Sequence, residues 1–175
     1  MQAKSLVTVA ALSAIAVAGR MIFVFIPFFK PVGAIVILSG ISLGPAKGAM
    51  VGALTMLVSN FYFGQGPWTP LQMIAFSFLG FLAGIFFHKK PERITKPKII
   101  VFAILTQVVL VGPLLDVGFS LFTIRSFEDL PLLVPFLLAG LPVNAIAGVA
   151  SAIFLAFLTK PFLEKLDRLR VKYGI

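Results

Sequence analysis

The sequence predicts an all-α integral membrane protein of six transmembrane helices with both termini cytoplasmic. Three observations predict it. The 175 residues are 59% hydrophobic and 12% charged, with a mean hydropathy of +1.07, whereas soluble domains carry roughly 25% charged residues. The run from Gly48 to Phe87 holds no charged residue, enough for two spans of about 20 residues each and a turn. The basic residues behind the net charge of +9 sit in short breaks between apolar runs, as membrane-flanking charges do, and not in a patch that would meet nucleic acid.

The first span runs from Ser5 to Phe25 and is broken by Pro27 and the stretch Phe28-Phe29-Lys30-Pro31. Its hydrophobicity continues past Ala18-Gly19-Arg20, so it reads as a retained helix and not a cleaved signal. The second is short, Val32 to Leu43, and a turn at Gly44-Pro45-Ala46-Lys47-Gly48 follows. The third is Ala49 to Phe63. A loop, Gly64-Gln65-Gly66-Pro67-Trp68-Thr69-Pro70, leads to the fourth, Leu71 to Phe87. His88 to Lys98 is a polar loop. The fifth span is Ile99 to Phe122, Thr123 to Leu130 a loop, and the sixth Pro131 to Leu158. Residues 160–175 form a basic cytoplasmic tail, read as an amphipathic surface helix. The whole chain, 1–175, is one domain.

Charge placement supports the count of six. It puts Lys4, Lys47, Lys89, Lys90, Arg93, Lys96, Lys98, Lys160, Lys165, Arg168, Arg170 and Lys172 on one side, leaving Arg20, Lys30 and Arg125. The positive-inside rule makes that side the cytoplasm. If the short second segment did not cross, the bias would collapse.

Polar residues inside the spans are few. A lone charge at the bilayer centre costs about 2.5–3.5 kcal/mol on insertion scales, so such groups face the interior and find partners. Arg20 and Asp116 both fall toward the outer side and are expected to pair, the alternative being an arginine that snorkels to the interface. Asn60, Gln72, Gln107 and Asn144 are neutral candidates whose alternative is an interhelical hydrogen bond. The outer loop concentrates Tyr62, Gln65 and Trp68 between glycines and prolines. Interfacial aromatic belts are the plain explanation. The sharper one is a small-molecule pocket, apolar and aromatic with a few convergent polar groups. On that reading Arg20, Asn60, Tyr62, Gln65, Trp68, Gln72, Asp116 and Phe119 surround a solute, with Phe28, Phe29 and Phe122 nearby. Ala10, Ala14 and Ala18 recur every fourth residue and mark one face of the first helix, for internal packing or for a partner. Gly48 with Gly52, and Gly80 with Gly84, do the same.

Catalysis finds no support. There is no cysteine, one histidine among lysines, no metal-ligand cluster and no phosphate-loop motif. The chain is read as no enzyme and as needing no cofactor or metal.

The size, the alanine spacing and the string Phe63-Gly64-Gln65-Gly66-Pro67-Trp68-Thr69-Pro70-Leu71-Gln72-Met73 together resemble a substrate-binding S component of an energy-coupling factor (ECF) vitamin transporter. The segment from Lys30-Pro31-Val32 to Ile41-Ser42-Leu43-Gly44-Pro45 is similar to the second helix of one group in that family. The resemblance implies a bacterial plasma-membrane subunit that captures a vitamin from outside. It also implies association with a membrane coupling subunit and two cytoplasmic ATPase subunits, which hydrolyse the ATP, and toppling in the membrane to release the vitamin inward. It maps the docking face onto Ala10, Ala14 and Ala18. Loop similarity points to cobalamin, with pantothenate or a thiamin precursor as alternatives. A non-transporting membrane scaffold subunit is the competing class. A channel or secondary transporter fits less well, since it would show an inverted repeat or a polar path across the bilayer.

Overall fold

The computed structural model describes residues 3–89, 94–120 and 131–173, and these form six helical rods without a strand among them. They are α1 (Ala3–Ile22), α2 (Val32–Leu43), α3 (Pro45–Phe63), α4 (Trp68–Phe87), α5 (Lys96–Ser120) and α6 (Leu133–Tyr173). Four of the described helices, α1, α4, α5 and the Leu133–Lys165 part of α6, are long and apolar enough to cross a membrane; α2 is a shorter apolar helix. The expected loop 123–130 with Arg125, the residues Phe122, Lys90 and Arg93 lie outside the described residues.

The outer surface is apolar. Val7, Ile15, Ile22, Phe61, Phe78, Val101, Val109, Leu138 and Phe157 are exposed on five different helices. A soluble protein does not present such a surface, whereas lipid covers it.

The short second segment is the centre of the bundle. Every residue of α2 from Val32 to Ser42 is buried, so a helix that is apolar all round has protein on every side. Glycine makes the room. A Cβ on Gly48 of α3 would stand 2.5 Å from Cα of Gly40 in α2 and 2.6 Å from the carbonyl oxygen of Gly80 in α4. One on Gly84 would lie 2.5 Å from Cα of Pro45. Backbones in contact at these points gain dispersion attraction that lipid cannot offer as well. Both glycine pairs are therefore internal packing. Replacing Gly80 with alanine drives a methyl into the Gly48 peptide, and a loss of roughly 1–3 kcal/mol of stability is expected from overpacking. Thermal unfolding in detergent checks it: the variant melts lower, while an alanine at Gly64, which has open space around it though a positive φ, falls less.

The helix ends sort the bundle into two poles. At one, Gly44 (φ 94°) ends α2, and Pro45 opens α3 at the position where its missing N–H costs nothing. His88 beyond α4 meets the carbonyl of Ile41 at 2.9 Å through Nδ1, satisfying one of the last free carbonyls of α2. At the other pole lie the C-terminal ends of α1 and α3 and the N-terminal ends of α2 and α4.

Several boundaries differ from expectation. α3 begins at Pro45, inside the expected turn from Gly44 to Gly48, and α5 at Lys96, inside the expected loop from His88 to Lys98, because proline in the first helical turn breaks no hydrogen bond. Trp68, Thr69 and Pro70 form the first turn of α4 and not a loop, since prolines at N-cap and first-turn positions break no helical hydrogen bond. Residues 160–173 continue α6 through Pro161 and do not form a separate tail helix. The fifth rod changes pitch: Gln107–Val111 is π-helical, with the Gly112 N–H bonded to the Gln107 carbonyl. Pro113 follows at once, and it has no N–H for the preceding turn and crowds that turn's carbonyl, which a wider turn relieves.

Candidate functional site

The second pole encloses a cavity of about 360 Å³ lined by residues of every rod. Small-molecule pockets occupy about 300–1,000 Å³. Its aromatic walls are Phe28, Phe76 and Phe119, and its polar groups are Arg20, Lys30, Gln72, Gln107, Asp116, Asn144 and Ser151.

Arg20 closes the last turn of α1 and reaches α3. It donates to Ser59 Oγ, to Asn60 Oδ1 (3.0 Å) and, at 3.5 Å, to Met56 Sδ. Its guanidinium lies 4.8 Å from the Phe63 ring centre, within cation–π range. Asn60, 1% exposed, passes the connection on: its amide nitrogen donates to Thr69 Oγ1 (2.9 Å) and Gln72 Oε1 (2.8 Å) of α4. The chain Arg20–Asn60–Gln72 thus ties three helices and presents its two ends to the cavity.

Lys30 comes from the connector before α2. Phe23 and Phe29 pack on Phe154 of α6 at 5.1 and 5.3 Å, and Phe28 takes a left-handed φ of 60°, which holds the connector over the bundle end. Lys30 Nζ stands 5.5 Å from the Phe63 ring centre. Partial burial, and then the nearby Arg20 charge, hold its ammonium below the usual lysine range.

The opposite wall is reciprocal. Asn144 of α6 donates to Asp116 Oδ2 at 2.8 Å. Asn144 seats over Gly112 of α5, and Asp116 over Gly140 of α6, where a Cβ would stand 2.5 Å from the Asp116 carboxyl carbon. Arg20 and Asp116 therefore face one cavity but hold different neutral partners, in place of the expected ion pair.

Of the residues chosen from sequence, Arg20, Gln72, Asp116 and Phe119 line the cavity together. Asn60 stands directly behind Arg20 and Gln72. Tyr62, Gln65 and Trp68 lie apart from the lining. Tyr62 is 66% exposed and stacks edge-on with Phe63 at 5.2 Å. Gln65 donates to the Leu57 carbonyl at 3.1 Å, and Trp68 Nε1 to that of Gly64 at 3.4 Å. These three shape the α3–α4 corner. Sequence reasoning missed Lys30, Met56 and Ser151. Lys30 had only its place beside a proline as a signal, and the other two had none. Among the described residues no group of three or more histidines, cysteines and carboxylates gathers to hold a metal.

Ala10, Ala14 and Ala18 are exposed along α1, while Val9, Leu12, Ser13 and Ala16 are buried against the bundle. The alanine face thus points away from the protein's own core.

Residues 1–164 match the family model described as "ECF-type riboflavin transporter, S component". No curated protein and no solved structure matches the chain.

Proposed function

The chain belongs to the family of S components of ECF-type riboflavin transporters, and from that premise we propose that its cavity captures riboflavin for ATP-driven uptake. The observation that carries the reading is the cavity itself: a recess in one end of the bundle with three phenylalanine rings for a flat ligand and amide, hydroxyl and charged groups for its polar rim. A tricyclic flavin with a sugar-alcohol chain suits about 360 Å³. Cobalamin, to which the loop resemblance pointed, is not supported: the family description names riboflavin, and a corrinoid with its nucleotide tail exceeds such a space. Pantothenate and the thiamin precursor offer less flat surface to three aromatic walls.

On this reading the protein is a multi-pass subunit of a bacterial plasma membrane and no enzyme. ATP hydrolysis belongs to two cytoplasmic ATPase subunits, joined through a membrane coupling subunit that meets the face of Ala10, Ala14 and Ala18. The cavity opens outward, because Lys47 and His88–Lys89 mark the opposite pole, and basic residues favour the cytoplasm.

The test is titration of purified protein in detergent with riboflavin, cobalamin and pantothenate. Trp68 is the sole tryptophan, and its emission overlaps flavin absorption, so riboflavin should quench it saturably at sub-micromolar concentration. The others should not, once cobalamin absorbance is corrected for. Saturable binding of cobalamin without riboflavin binding would reverse the assignment. Orientation has its own check: in this cysteine-free chain, Gln65→Cys should react with an impermeant maleimide from outside and Thr95→Cys only after permeabilisation. Labelling of both from outside rejects the topology.

A further inference from the structure

The floor of the cavity carries two polar side chains that the protein does not use itself. Gln107 and Ser151 are 6% and 3% exposed, and both line the cavity. Among the described residues neither side chain has a hydrogen-bond partner. Four other buried hydroxyls are satisfied within their own helices. Ser13, Ser39, Thr55 and Thr159 each donate to the carbonyl four residues back in their own helix, the usual resolution for such a group. Ser151 does not. Gln107 opens the π-helical turn of α5, and π turns recur at functional sites because they redirect a side chain.

Both converge on the first turn of the buried helix α2. A Cβ built on Gly33 would collide with Ser151 Oγ and stand 3.9 Å from Gln107 Oε1. Gly33 and Val32 also line the cavity. The first helical hydrogen bond of α2 is donated by Ile35 to the Pro31 carbonyl. The N–H groups before it have no carbonyl one turn back and form the positive end of the helix.

We propose that Gly33 at the start of α2, with Gln107 and Ser151, forms a subsite for a heterocycle edge that alternates carbonyl and ring N–H. The helix N–H groups and Ser151 donate to carbonyls. The Gln107 amide accepts from the ring N–H and donates beside it, a two-point match that a hydroxyl alone cannot make. Glycine is needed at 33 because a Cβ there would collide with the Ser151 hydroxyl and displace it. The inference rests on the flavin reading, in which the edge is the dioxopyrimidine ring, its N3–H flanked by two carbonyls. That ring then lies innermost.

The experiment compares riboflavin with 3-methylriboflavin, whose N3 carries no hydrogen, by flavin fluorescence quenching on the full chain in detergent. Wild type should favour riboflavin by about tenfold or more, as expected when a buried partner is left unmatched. Gln107→Leu should weaken riboflavin by about tenfold and shrink the preference to within about threefold. Ser151→Ala, a smaller change, should shrink it in the same direction and serves if the first variant does not fold. Equal affinity of wild type for both flavins, or equal weakening of both by the variants, overturns the subsite. Wild type that binds neither flavin overturns the riboflavin reading, and the dioxopyrimidine assignment with it.

Discussion

Replacing Ala14 with tryptophan is expected to cut riboflavin uptake at least about tenfold in cells that supply the coupling subunits, while binding to the isolated subunit stays within about twofold. The asymmetry follows from where the residue stands. Ala14 is exposed midway along α1, with Ala10 and Ala18 one turn to either side. The residues that hold α1 to the bundle are Val9, Leu12, Ser13 and Ala16, so an indole at 14 meets lipid and disturbs no internal contact. A partner helix is affected differently. Association in lipid depends on close backbone approach, because apolar side chains gain nothing by leaving one apolar medium for another. An indole holds the helices apart and forfeits that contact. Uptake of riboflavin-auxotrophic cells and flavin quenching on the same variant give the two readings. Binding and uptake falling together would show that α1 is part of the pocket's support and not a docking face.

Much of the fold was legible because hydrophobic runs and their breakers are local. Val32–Leu43 could be bounded to the residue: proline precedes it and Gly44-Pro45 follows. That it is the buried core, and not a tilted span at the rim, depends on Gly40, Gly48 and Gly80 meeting across three helices. A spacing of four shows a small face without saying what covers it. The same ambiguity hid the difference between the alanines of α1, which face outward, and the glycines of α3 and α4, which face in. Trp68-Thr69-Pro70 read as loop because turn residues also suit a helix's first turn, where no earlier carbonyl waits. The site was half legible. Arg20, Gln72 and Asp116 stood out because charges and amides in apolar runs are costly and need a reason. Their partners did not, because Arg20 meets residues 39 and 40 positions away. Opposite charge suggested Asp116 for Arg20, and neutral groups took the place of both partners. The π turn that frees Gln107 is one inserted residue in a helix, with Pro113 as its only trace.

The second large effect is expected at Arg20. Arg20→Ala should lower riboflavin affinity by about 30- to 150-fold, the equivalent of roughly 2–3 kcal/mol for losing charge-assisted hydrogen bonds. Two consequences combine. The cavity loses a cation from its wall, and the Asn60 carbonyl, buried at 1% exposure, loses its donor. Asn60 is then free to turn, and Gln72, which accepts its amide at 2.8 Å, loses its fixed orientation toward the ligand. Arg20→Lys keeps the charge but ends in a compact ammonium on a shorter side chain, where guanidinium Nη1 reached Ser59, Asn60 and Met56, so it should recover only part of the affinity. Asn60→Leu provides the control for the relay: it removes the Arg20–Asn60 and Asn60–Gln72 hydrogen bonds while leaving the guanidinium in the wall, still bonded to Ser59, and an affinity between wild type and Arg20→Ala is expected. Melting temperatures of the ligand-free variants separate loss of the site from loss of the fold, since α1 keeps its buried face in all three. Arg20→Ala that binds riboflavin as wild type does, with an unchanged melting temperature, would place the ligand elsewhere than in this cavity.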